Sequence, residues 1–194
     1  MKLTIKHQES YSRGELLLRT FFGYLYIAIP HLFLFFFVGI WASILMFVAW
    51  WVVLFTAVYP KGMFEFQVKC MNWMLRVQSS LMHLVDGYPA IGPNGTSESV
   101  TLEVEYPEKL SRGLLLLRTF FGFLYVGIPH GFCLAFRGWA TGIIAFLAWW
   151  VVLFTGKYPE TWHAFNVGTY RWMMRVQLYM GFFTDEYPPF SGKE

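Results

Sequence analysis

The chain has 194 residues, of which 56% are hydrophobic, 21% aromatic and only 14% charged, with a formal net charge of +3. A water-soluble domain of this size carries about a quarter charged residues, so the composition argues against an ordinary soluble domain and for lipid contact. The small positive charge is too little to argue for nucleic acid, and two cysteines, Cys70 and Cys133, at unmatched positions read as plain thiols, against a disulfide or metal role.

The chain opens on a polar, alternating stretch, with no apolar run of the kind a secretory signal carries. Leu3 and Ile5 alternate with polar neighbours, which predicts a short strand. From Thr20 to Ala57 there is no Asp, Glu, Lys or Arg. That stretch is too long for one span of about 20 residues and suits two. Spans are therefore predicted at 20–38 and 40–58, turning at Val38-Gly39. An alternative is that Pro30, like Pro129 further along the chain, breaks its span into re-entrant halves. After Tyr59-Pro60, the residues Glu65, Lys69, Asn72, Arg76, Ser79 and His83 fall on one helical stripe. Phe64, Val68, Met71, Leu75 and Met82 fall on another, which predicts an amphipathic helix at the membrane surface. Asp86-Gly87-Tyr88-Pro89 ends it, and a Gly/Pro/Asn/Ser-rich connector follows at 91–99.

The order then repeats. Ser12-Arg13-Gly14 recurs as Ser111-Arg112-Gly113, Ile29-Pro30-His31 as Ile128-Pro129-His130, and Asp86 with Tyr88-Pro89 as Asp185 with Tyr187-Pro188, always 99 residues later. The second copy predicts a strand near Leu102–Val104, spans at 119–136 and 139–156 turning at Arg137-Gly138, and a second surface helix carrying Arg171 and Arg175. The domain reading is repeat one at 1–91, a linker at 92–99 and repeat two at 100–194. The fold class is all-α integral membrane. Each of the two tandem repeats has a transmembrane α-hairpin and an interfacial amphipathic helix, preceded by a short cytoplasmic β-strand.

With Arg137 alone at the hairpin tips, the other fourteen of fifteen Lys and Arg lie on the opposite side, so the positive-inside rule places both termini in the cytoplasm of a multi-pass protein. Both repeats then insert the same way, related by a pseudo-two-fold axis along the membrane normal.

The motifs Tyr106-Pro107-Glu108-Lys109-Leu110-Ser111-Arg112, Ile128-Pro129-His130, Tyr158-Pro159, Arg171-Trp172-Met173-Met174-Arg175-Val176 and Asp185-Glu186-Tyr187-Pro188-Pro189-Phe190 resemble an uncharacterised family of bacterial membrane proteins, the domain of unknown function 4389 family, taken here as two copies. Repeat one departs from the pattern at Asn72, Gly87 and Ala90-Ile91. The resemblance implies a bacterial inner-membrane location and no activity.

His31 and His130 are the sharpest candidates for chemistry, each about eleven residues into its predicted span, roughly 16 Å deep. Three readings stand: a structural hydrogen bond to a carbonyl freed by the adjacent proline, axial ligation of one haem b iron, or proton and solute handling. His7, His83 and His163 are unmatched between the repeats and are expected at the surface. Arg19 and Arg118 are expected to snorkel to headgroups, and Arg76, Arg171 and Arg175 to meet lipid phosphate or a partner. Arg76 with Asp86, and Arg175 with Asp185, are expected ion pairs. Trp50-Trp51 and Trp149-Trp150 read as interfacial anchors.

No P-loop, dinucleotide fingerprint, HExxH, CxxC or GxSxG is present. The expected function is a non-enzymatic membrane module: an accessory or scaffold subunit, or an organiser of lipid, whose partners are the bilayer, a membrane protein or a second copy. The strand edges at Leu3–Ile5 and Leu102–Val104 are expected to be open to a partner strand. A haem-binding redox subunit and a small-solute or proton pathway between the repeats are the alternatives.

Overall fold

A computed structural model describes residues 1–194. The elements are β1 (Lys2–Ile5), α1 (Arg13–Thr56), α2 (Lys61–Leu81), β2 (Val100–Glu103), α3 (Arg112–Thr155) and α4 (Glu160–Met180). Every helix of the first half recurs 99 residues later with the same length.

Neither predicted hairpin forms. Each apolar stretch is one helix of 44 residues, roughly 66 Å long at 1.5 Å per residue. Gly39 and Gly138 sit inside continuous helix, and nothing approaches either closely enough to require glycine. Arg137 does not mark a tip. It turns onto α4, donating from Nε to Thr169 Oγ1 (2.9 Å) and from Nη2 to Phe165 O (3.2 Å), with its guanidinium 4.3 Å from the Phe165 ring centroid. A cation with acceptors of its own needs no turn to reach water.

Both long helices start and stop on local signals. Ser12 and Ser111 are N-caps, each Oγ accepting from the backbone N–H three residues on at 3.3 Å. The C-caps are left-handed: Gly156 at φ 72° and, less comfortably, Ala57 at φ 61°. A π turn interrupts each helix just before its proline, at Tyr24–Ala28 and Phe123–Gly127.

The long helices run antiparallel. Trp149 Nε1 donates to Thr20 Oγ1 and Trp50 Nε1 to Thr119 Oγ1, at 2.8 and 2.9 Å, so the start of each helix meets the end of the other. The backbone bonds from Tyr11 N to Gly156 O and from Leu110 N to Ala57 O close the same two ends. These tryptophans are thus ties between the repeats as well as large apolar groups. Each short helix runs back along its own long helix: Arg19 meets Ser80, His31 meets Trp73, and Gln67 meets Ala42.

The two predicted strands pair with each other, antiparallel, with Leu3 opposite Leu102 and Ile5 opposite Val100. All four of these side chains are buried in a core drawn from both repeats, where Tyr11 packs on Tyr158 and Tyr59 stacks on Phe183. The outer edges are occupied. Asn72 bonds both N and O of Leu102 at 2.7 Å, and its repeat equivalent Arg171 reaches Leu3 O at 3.5 Å. The expectation of edges free to take a partner strand is therefore not met.

One face of each long helix is bare. Phe21, Leu25, Ile29, Phe33, Phe36, Ile40, Ile44, Phe47, Trp51 and Phe55 recur at the helical period along α1, all exposed, and α3 repeats the stripe from Phe120 to Phe154. Only 6% of the most apolar stretch of α1 and 17% of that of α3 is buried, so neither is a core helix of a soluble fold. Both are long and apolar enough to cross a membrane.

Candidate functional site

The residues that recur identically converge on two matching sites, one where each short helix closes on its long helix. The first component is a buried arginine. Arg19 is 5% exposed and Arg118 2%. Arg19 donates to Ser80 O, Val85 O, Glu15 O and Asp86 Oδ1. Arg118 donates to Tyr179 O, Thr184 O, Leu114 O and Asp185 Oδ1. The other oxygen of each aspartate accepts from the N-cap serine N–H at 2.6 Å. One carboxylate thereby joins the end of the repeat to the start of its long helix. Neither arginine snorkels to headgroups, and the aspartates pair with Arg19 and Arg118 instead of Arg76 and Arg175. Those last two hold the tail of each repeat by its carbonyls: Arg76 donates to Gly92 O and Arg175 to Lys193 O, both at 2.8 Å. Arg171 donates to Gly192 O (2.8 Å) and pairs with the exposed Glu194.

The second component is a chain of hydrogen bonds around each mid-helix histidine. Both histidines are fully buried. Trp73 Nε1 donates to His31 Nδ1 (2.8 Å) and Trp172 Nε1 to His130 Nδ1 (2.9 Å). Indole N–H is only a donor, so the histidine proton sits on Nε2. In repeat two, His130 Nε2 donates to Tyr187 Oη (3.2 Å), and Tyr187 donates on to Tyr125 O (3.1 Å). In repeat one, Tyr88 donates to Tyr26 O (3.2 Å), but His31 Nε2 is buried with no partner.

Tyr26 and Tyr125 are the carbonyls that residues 30 and 129 would bond in a regular helix. Proline has no N–H, so these carbonyls are freed, and the tyrosine of the terminal motif satisfies them. The carbonyl freed by proline was foreseen, but its donor is tyrosine and not histidine. Tyr88→Phe is expected to cost about 1 kcal/mol. In a Pro30→Ala background, where the helix supplies its own donor, most of that cost should vanish. Equal costs in both backgrounds, read from thermal unfolding in detergent, would show that the bond to Tyr26 is idle.

Haem ligation does not fit this donor set. Both ring nitrogens of His130 are engaged, and Phe190 stacks on its ring at 3.9 Å. His31 is enclosed by Phe35, Trp73 and Tyr88 of its own repeat. The two imidazoles sit in separate pockets, each between a long helix and its short partner, and do not line a shared path between the repeats.

Of the unmatched histidines, His7 is exposed as expected, whereas His83 is half-buried and His163 is buried. His163 is 3% exposed, donates from Nε2 to Leu84 O (3.1 Å), and packs edge-on to His7, which donates to Tyr158 O (2.7 Å). His83 occupies a left-handed position (φ 57°) that repeat two fills with Phe182 (φ 65°). Its Nδ1 is buried without a partner, and burial, reinforced by Arg19, pushes its pKa down to about 4. The unfolded chain protonates this histidine near 6.5 and the folded one does not, so its contribution is complete above pH 6.5 and is lost as pH falls toward 4. His83→Phe should flatten the acid limb of stability in that window. A limb unchanged in melting curves from pH 7 to 4 would assign it elsewhere, for instance to His163, whose pKa burial also lowers.

Sequence reasoning missed Trp73, Trp172, Tyr88 and Tyr187 as partners of the histidines, although all four recur identically at the 99-residue offset. Neither the curated proteins nor the solved structures contain a match to this chain. Residues 116–192, which hold Arg118, His130, Trp172, Asp185 and Tyr187, match the family described as Domain of unknown function (DUF4389). That match spans 77 of the 194 residues, all within the second repeat.

Proposed function

We propose that this protein is a non-enzymatic, lipid-organising membrane module whose two long helices lie along the plane of the bilayer. The observation that carries the reading is the pair of exposed apolar stripes, each running the length of a 44-residue helix. A helix of roughly 66 Å is about twice the hydrocarbon thickness of about 30 Å. Crossing upright would leave half of the stripe in water. It would also draw α2 through the bilayer, because α2 packs along α1 and carries Lys61, Glu65 and Lys69. Lying flat, each stripe meets acyl chains, while the strands, short helices and charged tails form a polar layer above.

The buried polar groups support a structural role. The arginines, aspartates and tryptophans of the two sites spend their hydrogen bonds on the repeat itself. The pseudo-two-fold axis along the membrane normal survives in this arrangement, because antiparallel helices in the plane are related by such an axis. The expected setting is the bacterial inner membrane, with the polar layer toward the cytoplasm.

The test is flotation with liposomes followed by alkaline carbonate washing. The protein is expected to float and to resist the wash, as deeply buried apolar area requires. Replacing Phe33, Phe36 and Phe47 together by Ser should leave the fold, since all three are exposed, and reduce the floating fraction severalfold. A parent protein that stays soluble without detergent would overturn the reading.

A further inference from the structure

We propose that His7 and His163 form an acid-sensitive latch on one of the two seams between the repeats. Each seam lies where the chain leaving one repeat's strand meets the first turn of the other repeat's short helix. On one side, His7 donates from Nε2 to Tyr158 O at 2.7 Å and packs edge-on to His163, with 5.1 Å between ring centroids. His163 donates from Nε2 to Leu84 O at 3.1 Å, in the loop that follows α2. Both bonds run from one repeat to the other. On the other side, the residues at the 99-residue offset are Tyr106 and Phe64. Tyr106 donates to Tyr59 O and packs edge-on to Phe64 at 5.2 Å, the same arrangement without an imidazole.

Charge decides what acid does to the first seam. Each Nε2–H is spent on a carbonyl, so a proton taken up by either ring goes to Nδ1 and leaves a cation. Two cations 5.1 Å apart repel, and with His163 only 3% exposed little water screens them. The surroundings give little relief. The cleft beside the pair, about 650 Å³, is lined by Arg137, Arg171, Lys193, Glu160 and Glu194. Glu194 is paired with Arg171, which sets Glu160, one turn before His163, against Arg137 and Lys193. Tyr11 and Tyr158 pack on the pair, and burial pushes both phenols up to about 12, so they stay neutral. In the loop that carries Leu84, Asp86 is committed to Arg19, and His83 is neutral above about pH 4.

Burial pushes the His163 pKa below its usual value. The unfolded chain takes up this proton near pH 6.5 and the folded chain resists it. The latch is therefore closed above that pH and weakens below it. The Tyr106–Phe64 pair has nothing to titrate in this range, so acid loosens one seam and leaves the other closed.

Hydrogen exchange read by mass spectrometry tests this on the whole protein in mild detergent, at about pH 7.5 and about pH 5, with labelling times scaled for the intrinsic rate. The latch seam is residues 82–86 and 157–164. Its counterpart, residues 181–185 and 58–65, is the control within the same molecule. Acid is expected to speed exchange of the latch seam at least tenfold relative to the counterpart. The double variant His7→Tyr, His163→Phe installs the residues of the other seam and should abolish the difference. His163→Gln keeps a neutral N–H donor for Leu84 O and should do the same, which covers the case in which the double variant does not fold. Equal exchange of the two seams in the parent at both pH values would overturn the proposal. So would an acid response that survives in His163→Gln, since it would then belong to His83 or to another group.

Discussion

Arg19→Met is expected to cost about 3 kcal/mol or more of stability, the range found when one partner of a buried ion pair is removed. The Arg19 side chain is 2% exposed and that of Asp86 15%, so little water can replace the lost donor. The substitution strands Ser80 O and Val85 O as well as the carboxylate. It also loosens the start of α1, because Asp86 holds the Ser12 N–H in place. In a protein of this size the loss corresponds to a fall in melting temperature of roughly 6–12 °C, measurable by thermal unfolding in detergent. Arg19→Lys should recover little, since an ammonium cannot address four acceptors spread across a guanidinium fork. Adding Asp86→Asn to Arg19→Met should recover part of the loss by removing the unpaired charge. Lys61→Met is the control: its partner Glu65 is at 4.0 Å and both are mostly exposed, so its effect should stay within about 0.5 kcal/mol. If Arg19→Met melts with this control, the arginine is not a structural hub.

The repeat made much of this legible. An offset of 99 residues with identical Arg, Asp, His, Trp and Tyr predicts two equivalent units, a strand and an amphipathic helix in each, and a special role for the residues beside each proline. Pairing was harder to read. Asp86 lies 67 residues from Arg19 and only ten from Arg76, and both arginines recur equally well. The choice between them depends on α2 folding back along α1, which no local pattern encodes. The same fold-back explains why Arg19 is buried although it stands at the mouth of an apolar stretch.

The predicted turns failed for a different reason. A charge-free run of nearly forty residues has the same composition whether it makes two upright helices or one long helix lying flat. The distinguishing mark is angular: the largest side chains of α1 return to one face at every turn from Phe21 to Phe55. That signal was diluted because the opposite face is also apolar, being buried against α2. Arg137 then lent false support to a break, since an isolated cation in an apolar run is usually at water. Here Thr169 and Phe165 of α4 receive it.

Cysteine accessibility will separate the flat arrangement from both upright ones. In a Cys70→Ser, Cys133→Ser background, single cysteines are placed at Glu9 and Glu108, which precede α1 and α3, and at Gly39 and Gly138, at the middle of the long helices. The helices are antiparallel, so Glu9 and Glu108 lie at opposite ends of the pair. Lying flat, both end positions should react with an impermeant maleimide from the same side of sealed vesicles. The two middle positions, on bare apolar helix, should react from neither side until detergent is added, a difference of at least tenfold. Two upright 44-residue helices would place Glu9 and Glu108 on opposite sides. Four short spans would keep them together but expose Gly39 and Gly138 to the far side. Only the flat arrangement puts apolar volume into one leaflet without matching it in the other, and that asymmetry is the physical basis on which such a module could order or bend the lipid around it. A pattern matching either upright case would remove that basis while leaving the fold and its two buried sites intact.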